Sequence, residues 1–192
     1  AFLNPFCSAP KLNVLCRYLD ENGTLLDVAP ENILLRAEQK LHSETNVTLK
    51  ALAELEFYII SRQEAENVFP SSPDRHYHES APFSRFENLR SEILATLTDI
   101  GIATKYGHSE VGKIHGEDDE VMEQHEIEFM PQHLTEAAEE IVVAKWVMRN
   151  ICVRYGVSVS FSPKIALKHA GNGMHIHLCG LKNGRNIIAD SK

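Results

Sequence analysis

The sequence predicts an α+β fold in which a curved, mostly antiparallel β-sheet is flanked by helices. Segments that alternate apolar and polar residues outnumber those with helical spacing. Turn signals join several of these segments as hairpins, and the three helical segments do not alternate with strands as a parallel sheet requires. The 192 residues are enough for one ordinary domain or for part of a larger one.

The first half of the chain is predicted to begin with a hairpin around the turn Asp20-Glu21-Asn22-Gly23, because this is a strong turn signal between alternating segments. The proline at position 30 suits the first turn of a helix, and Gly101 is typical of a helix end. The predicted order is a hairpin at 12–28, a helix from about 30 to 43, a strand from about 48 to 61, a surface loop at 62–83 and a helix at 86–97.

The second half contains the longest predicted helix, which has a wide apolar face and ends at Gly156. The predicted order is a strand at 102–110, an exposed acidic insertion at 111–123, a strand at 124–130, a helix at 135–155, a strand at 157–161, a loop at 162–172, a strand at 174–181 and a return strand at 186–189.

The composition argues against several classes of partner and location. The formal net charge of -8 leaves no broad cationic face, so neither nucleic acid nor a membrane surface is expected as a partner. No run approaches the roughly 18–20 apolar residues of a membrane span, and no signal peptide is recognised. The missing initiator Met indicates a piece of a longer protein. Four scattered cysteines, predicted to be reduced core residues, point to the cytoplasm: Cys7, Cys16, Cys152 and Cys179.

The candidate site is centred on two acids in the strand at 48–61. Side chains alternate across a strand, so Glu54 and Glu56 share one face while Leu55 and Phe57 occupy the other. Adjacent carboxylates repel each other, and a divalent cation between them removes that repulsion. The alternative interpretation is a half-exposed edge strand with two solvated acids.

Three further segments carry acids or imidazoles at alternating positions, which favours a shared metal site over solvated faces. They are His108 with Glu110, Glu126 with Glu128, and His175 with His177, the last pair having Met174, Ile176 and Leu178 predicted to pack behind it. Carboxylates with few imidazoles and no thiolates favour Mg²⁺ or Mn²⁺ over Zn²⁺. No Walker-type phosphate loop is present, so metals and the sheet would have to hold any nucleotide.

A second cluster in the predicted loop has two readings. His76 and His78, with Glu79, could bind a metal, but a solvated loop is the preferred interpretation.

Five short motifs stand out along the chain: Glu54-Leu55-Glu56-Phe57, Glu110-Val111, Gln124-His125-Glu126-Ile127-Glu128-Phe129, Phe161-Ser162-Pro163-Lys164 and Gly171-Asn172-Gly173-Met174-His175-Ile176-His177. They occur in the order in which the glutamine synthetase family carries its equivalents. The chain thus resembles that family over nearly its whole length. The resemblance implies a partial glutamine synthetase/guanidino kinase-like catalytic domain, with residues 1–192 as its N-terminal portion and both the small N-terminal domain and the C-terminal part absent.

The resemblance also implies roles for individual residues, although it identifies no catalytic acid or base. Glu56, Glu110 and Glu126 would hold one Mg²⁺ or Mn²⁺, Glu54 and His175 a second, Gly171 would contact glutamate, and His177 would lie near the nucleotide phosphates. In the implied reaction ATP phosphorylates the γ-carboxylate of glutamate, and ammonia displaces phosphate from the γ-glutamyl phosphate. The partners would be glutamate, ammonia and ATP, and the parent chain would form a ring-shaped homo-oligomer.

Several positions depart from the family pattern. Lys105 stands where many members have a glutamate that touches ATP, Ala170 replaces an asparagine before the glycine turn, and Pro131 falls where an aromatic residue often stacks near the nucleotide. The acidic segment 111–123 replaces a short loop. Because the family's substrate-binding arginines would follow Lys192, the chain alone is predicted to bind metal weakly and to form no glutamine.

Three alternatives to a glutamine-forming ligase remain open. A γ-glutamyl-amine ligase shares these motifs. A non-catalytic assembly or regulatory subunit would keep the fold and lose metal-dependent nucleotide binding. A di-metal hydrolase using the same His and Glu residues would release phosphate without glutamate.

Overall fold

The computed structural model describes residues 1–62, 72–117 and 119–189, so part of the loop predicted at 62–83 lies outside the described residues. The helices are α1 (Pro30–Thr45), α2 (Glu87–Asp99) and α3 (Leu134–Arg154). The strands are β1 (Phe2–Leu3), β2 (Leu12–Asn13), β3 (Thr48–Arg62), β4 (Thr104–His115), β5 (Glu120–Phe129), β6 (Gln132–His133), β7 (Ser158–Ser160), β8 (Met174–Lys182) and β9 (Arg185–Asn186). No described helix combines the length and apolar character needed to cross a membrane.

The helix boundaries follow the predicted signals. Pro30 opens α1, where the missing N–H needs no partner, and Asn46 ends it in a left-handed conformation with φ of 55°. The backbone N–H of Asn46 donates to the carbonyl of His42 at 2.8 Å. Gly101 and Gly156, the predicted helix stops, both have positive φ, at 89° and 68°. The predicted helices are therefore confirmed to within a few residues.

The chain divides into two compact units. The first consists of Ala1–Leu52, Pro131–Val142 and Ile176–Lys192, and the second of Ala53–Met130 and Val143–His175. In the first unit, β1 pairs with β2, β6 with the start of β3, and β8 with β9. Each of these pairs is antiparallel.

The second unit contains the sheet that carries the predicted acids. Strand β5 lies between β4 and β3, and β7 also pairs with β3; all three pairings are antiparallel. The N–H of Glu56 donates to the carbonyl of Gly173 at 3.3 Å, just before β8 begins. The antiparallel α+β fold class is confirmed.

The core of the second unit lies on the apolar face of this sheet. Alternation along β3 places Leu55, Phe57 and Ile59 there, all of them almost completely buried. Further fully buried side chains come from α2, β5 and the second half of α3: Ile93, Leu97, Ile127, Val147, Met148 and Ile151.

The opening hairpin is only partly as predicted. The turn forms, with the N–H of Asp20 donating to the carbonyl of Thr24 at 2.7 Å and a single bridge between Leu19 and Leu25. The N–H of Leu26 also donates to the carbonyl of Tyr18 at 2.9 Å, whereas β2, predicted to lie in this hairpin, pairs with β1 at the chain start instead. The turn residues therefore predicted the turn, but they did not predict that β2 pairs with β1.

The predicted exposed insertion at 111–123 is wrong. Strand β4 continues to His115 and β5 already begins at Glu120, so most of the segment belongs to a long hairpin. Lys113 and Glu123 are buried in it and form an ion pair, Nζ to Oε1, of 3.0 Å. Glu117 and Asp119 at the tip of this hairpin are exposed as predicted, but the sequence did not reveal that Lys113 and Glu123 are buried together.

Two packing predictions also need correction. Met174, Ile176 and Leu178 do not pack behind the histidines of β8, since they are 47%, 50% and 50% exposed. Among the free cysteines, Cys152 is buried as predicted, and burial raises the pKa of its thiol to about 12. Cys7 and Cys16 are exposed and therefore are not core residues.

Candidate metal centre

The register of three strands gathers the predicted acids on one face of the sheet. Glu56 lies opposite Glu126, and Glu126 lies opposite His108 on its other side. Glu54 is paired in the same way with Glu128. Directly opposed residues in an antiparallel pair project to the same face, so the acids of β3 and β5 and the imidazole of β4 converge.

Two groups of three possible ligands form on this face. The ligand atoms of Glu54, Glu126 and His175 lie within 4.8 Å of one another, as do those of His108, Glu110 and Glu126. Glu126 belongs to both groups. Nδ1 of His175 is 3.1 Å from Oε2 of Glu54, and Nε2 of His108 is 3.1 Å from Oε1 of Glu126.

The electrostatics of this face suit a bound cation. Burial raises the pKa of Glu126 to about 7, and the negative charges of Glu110, Glu54 and Glu56 add to the shift while His108 opposes it. Burial also raises the pKa of Glu110. Carboxylate and imidazole donors match a divalent cation such as Mn²⁺ or Mg²⁺, which would offset the repulsion among these groups.

Glu56 has a different environment from the other predicted ligands and belongs to neither group of three. Its Oε2 accepts hydrogen bonds from Nε2 of Gln124 at 2.9 Å and from the N–H of Gly173 at 3.0 Å. These two donors fix the orientation of its carboxylate.

Gln124 is a functional candidate that sequence reasoning missed. Besides Glu56, its amide nitrogen lies 2.8 Å from the carbonyl of Gly171 and 3.1 Å from Oδ1 of Asn172. It therefore joins the middle of the sheet to the glycine turn. The only available sequence signal was its position on the same face as Glu126 and Glu128, two and four residues later.

The turn that contains Gly171, the predicted glutamate contact, is held on several sides. The hydroxyl of Tyr58 donates to the carbonyl of Ala170 at 2.9 Å, and Nδ2 of Asn172 donates to the carbonyls of Ser160 and Ser162 at 3.1 and 3.0 Å. A Cβ on Gly171 would overlap the backbone carbonyl of Pro163. This position accepts only glycine without a backbone shift.

Glu128 differs from Glu126 although both lie on the same face of β5. Nζ of Lys105 is 2.6 Å from Oε2 of Glu128. Burial opposes ionisation of Glu128, but hydrogen bonds from Lys105 and Tyr106 outweigh it and lower the pKa. Glu128 already has a cationic partner within the chain and belongs to neither ligand group.

His177, predicted to lie near the nucleotide, belongs to the first unit. Of the loop histidines, His76 is fully buried, and the solvated interpretation is wrong for it. Among the described residues, the groups of three possible metal ligands include neither His76 nor His78.

Gly112 supports the site by its lack of a side chain. A Cβ there would overlap the hydroxyl of Tyr58 and lie 2.6 Å from Oε1 of Gln124. We expect Gly112→Ala to lower the free energy of unfolding by about 1–3 kcal/mol through overpacking, measured by urea denaturation. Tyr58→Phe in the same chain should recover part of the loss because it removes the overlapping oxygen. Equal stability of Gly112→Ala and the unaltered protein would contradict this account of the position.

The chain is thus an α+β domain whose antiparallel sheet gathers carboxylates and imidazoles, the ligand types that divalent cations accept, on one face. The profile of one family, described as "Glutamine synthetase, catalytic domain", matches residues 27–192. The chain belongs to this glutamine synthetase catalytic-domain family, as the sequence motifs predicted.

Individual relatives agree with this assignment. The chain is 27% identical over 178 residues to the glutamine synthetase of Clostridium saccharobutylicum, covering 92% of this chain and 38% of that protein. It is also 27% identical over 223 residues to the glutamine synthetase of Escherichia coli K12, covering 100% and 45%. The chain therefore spans less than half the length of these curated relatives.

The fold is also similar to that of solved glutamine synthetases. The cryo-EM structure of Plasmodium falciparum glutamine synthetase superimposes with a TM-score of 0.84 at 18% identity, covering all of this chain and 41% of that one. A structure described as a novel glutamine synthase homolog superimposes with a TM-score of 0.70 at 18% identity, covering 91% of this chain and 37% of that one.

Proposed function

We propose that this chain supplies the metal-binding part of a ligase that forms glutamine from glutamate and ammonia, using ATP and Mg²⁺ or Mn²⁺. The observation that carries the proposal is the position of Glu126, which is shared by two groups of ligand atoms on one face of the sheet. Membership in the glutamine synthetase catalytic-domain family supports the same reaction class. The intermediate in this proposal is γ-glutamyl phosphate.

The proposed ligands are divided between two cation sites. Glu110 and Glu126, with Glu56, would hold one cation, and Glu54 and His175 the second, which Glu126 also approaches. The bound cations would neutralise the charge that develops on the transferring phosphoryl group. His108 lies between Glu110 and Glu126, with Nδ1 3.6 Å from Oε1 of Glu110 and Nε2 3.1 Å from Oε1 of Glu126, so its ring would help to orient both carboxylates.

The remaining residues of the site have supporting roles in this proposal. Gln124 and the N–H of Gly173 keep the carboxylate of Glu56 pointed to the shared face. The turn at Gly171 would contact glutamate through its backbone. His177 would contact the nucleotide phosphates.

The properties of the whole protein belong to the same proposal. Residues 1–192 would be the N-terminal portion of the catalytic domain of a cytoplasmic, ring-shaped homo-oligomer. This chain alone is predicted to bind metal without forming glutamine.

A titration with Mn²⁺, followed by the electron paramagnetic resonance signal of the free ion, tests the proposal. We expect two Mn²⁺ ions per chain, both displaced by excess Mg²⁺. Glu128→Gln is the matched control, because Glu128 lies on the same strand face but is paired with Lys105. It should retain both ions. Failure of the unaltered protein to bind Mn²⁺, or loss of a bound ion in Glu128→Gln, would contradict the proposal.

The Lys105–Glu128 ion pair favours a second candidate, a non-catalytic assembly or regulatory subunit. Lys105 is engaged with Glu128 at a position where many family members have a glutamate that touches ATP. Calorimetric titration of ATP with and without Mn²⁺ separates the candidates, because a subunit without activity would bind no nucleotide in a metal-dependent way. Phosphate release from ATP without glutamate would instead indicate a hydrolase. Phosphate release that requires both glutamate and an amine other than ammonia would indicate a γ-glutamyl-amine ligase.

A further inference from the structure

Glu110 lies in an irregular part of β4. Ser109 is opposite His125 and Lys113 is opposite Glu123, so the three residues from Glu110 to Gly112 stand opposite the single residue Gln124. We call these three residues the β4 bulge. A bulge changes the direction of side chains locally and interrupts the ladder, so the aim of the Glu110 carboxylate depends on what holds the bulge.

The inner side of the β4 bulge is held by β5 and β3. The N–H of Gly112 donates to Oε1 of Gln124 at 3.0 Å, and Gly112 lies against the hydroxyl of Tyr58. The N–H of Val111 donates to the Oε2 of Glu110 itself at 3.1 Å. The carbonyls of Glu110 and Val111 are bonded from the other side.

The outer side of the β4 bulge is covered by the segment from Asp74 to His78. Backbone N–H groups of this segment donate to the carbonyls of β4 at alternate positions: Asp74 to Lys113 at 3.2 Å, His76 to Val111 at 3.2 Å and His78 to Ser109 at 2.8 Å. The carbonyl of Glu110 is not an acceptor in these three bonds. It is reached by a side chain, since Nδ1 of His76 lies 3.1 Å from it.

His76 is itself fixed by a buried polar cluster. It is fully buried, its ring meets that of His125 edge to face at 5.4 Å between centroids, and its Nε2 is 3.5 Å from Oε2 of Glu123. A carbonyl oxygen can only accept, so Nδ1 of His76 carries the hydrogen that bonds Glu110.

We propose that His76 is a positioning residue that aims the Glu110 carboxylate by holding the Glu110 carbonyl in the β4 bulge. The inference rests on the proposed function for the role of Glu110 as a metal ligand. Without the His76 bond, the peptide plane between Glu110 and Val111 can rotate, and the carboxylate, which is tied to the Val111 N–H, rotates with it. The affinity of the cation at Glu110 then falls, although no ligand atom has been removed.

Three variants test the role of His76. His76→Leu keeps an apolar side chain of similar size and removes the donor, whereas His76→Asn places an amide N–H close to the position of Nδ1. Ile93→Ala creates a cavity in α2 within the same unit and controls for lost stability. We expect His76→Leu to lower the affinity for one of the two Mn²⁺ ions by about tenfold. The Mn²⁺ affinity of His76→Asn should lie within about threefold of that of the unaltered protein, and Ile93→Ala should bind Mn²⁺ with unchanged affinity.

A metal-free readout keeps this inference separate from the proposed function. Amide hydrogen exchange at Val111 and Gly112 should accelerate by about tenfold in metal-free His76→Leu relative to Ile93→Ala, since the bulge opens locally. Unchanged exchange, or Mn²⁺ affinity as high in His76→Leu as in the unaltered protein, would overturn the inference while leaving the proposed function intact. If the unaltered protein bound no Mn²⁺, the proposed function would fail, and exchange alone would decide whether His76 holds the bulge.

Discussion

Replacing Glu126 by glutamine should weaken the binding of both Mn²⁺ ions by at least about 100-fold, because Glu126 is the carboxylate common to the two ligand groups. The same change should make the metal-free protein more stable. The pKa of Glu126 is raised to about 7 in the folded protein, so the folded protein holds this proton more tightly than the unfolded chain does. Above the pKa of Glu126 in the unfolded chain, its negative charge therefore lowers the free energy of unfolding. We expect a gain of about 1–2 kcal/mol at pH 8, less than the roughly 3 kcal/mol that the shift would give without screening.

The opposite signs of these two effects distinguish a ligand from a structural residue. Binding is measured by electron paramagnetic resonance, and stability by urea denaturation with a chelator present. Glu128→Gln is the control, and it should lose stability because it breaks the ion pair with Lys105. Loss of stability in metal-free Glu126→Gln, or retention of either ion at normal affinity, would contradict the account of the site.

Breaking the buried ion pair of the β4–β5 hairpin should have the largest effect on folding. Lys113 and Glu123 are both buried, and Oε2 of Glu123 also accepts the N–H of Arg85 at 3.1 Å. Lys113→Met leaves the carboxylate of Glu123 buried without its cation. We expect a loss of about 3–5 kcal/mol in the free energy of unfolding, measured by urea denaturation.

A second substitution shows whether charge or packing causes the loss. Adding Glu123→Gln to Lys113→Met should recover at least half of the stability, because the uncompensated charge is removed and the amide oxygen can still accept from Arg85. Lys40→Met, which breaks an exposed pair with Glu44, should cost less than about 1 kcal/mol. Equal losses in the single and double variants would show that packing of the lysine, rather than charge, stabilises the hairpin.

The period of two along β3 and β5 predicted which of their acids share a face of the sheet. It placed Glu54 with Glu56, and Glu126 with Glu128, each pair on one face, and the observed register brings these faces together. Alternation alone does not show which strands lie next to each other in the sheet. The family motifs indicated which segments belong together.

Other features depend on contacts that no local pattern contains. The β4 bulge arises where Gly112 meets Tyr58, which lies in another strand, and His76 is buried because it bonds to the carbonyl of Glu110. A histidine between prolines and polar residues looks solvated until its partner is known. Likewise, the pairing of Glu128 with Lys105 separates it from Glu126, although alternation makes the two acids equivalent.

Anomalous X-ray diffraction from crystals grown with saturating Mn²⁺ tests most directly whether this face of the sheet binds cations. We expect two anomalous peaks, one beside Glu54 and His175 and the other beside Glu56 and Glu110, with Glu126 close to both. Both peaks should disappear in Glu126→Gln crystals and persist in Glu128→Gln crystals. The proposed metal site would be contradicted if crystals of the unaltered protein showed Mn²⁺ bound elsewhere and none among these carboxylates.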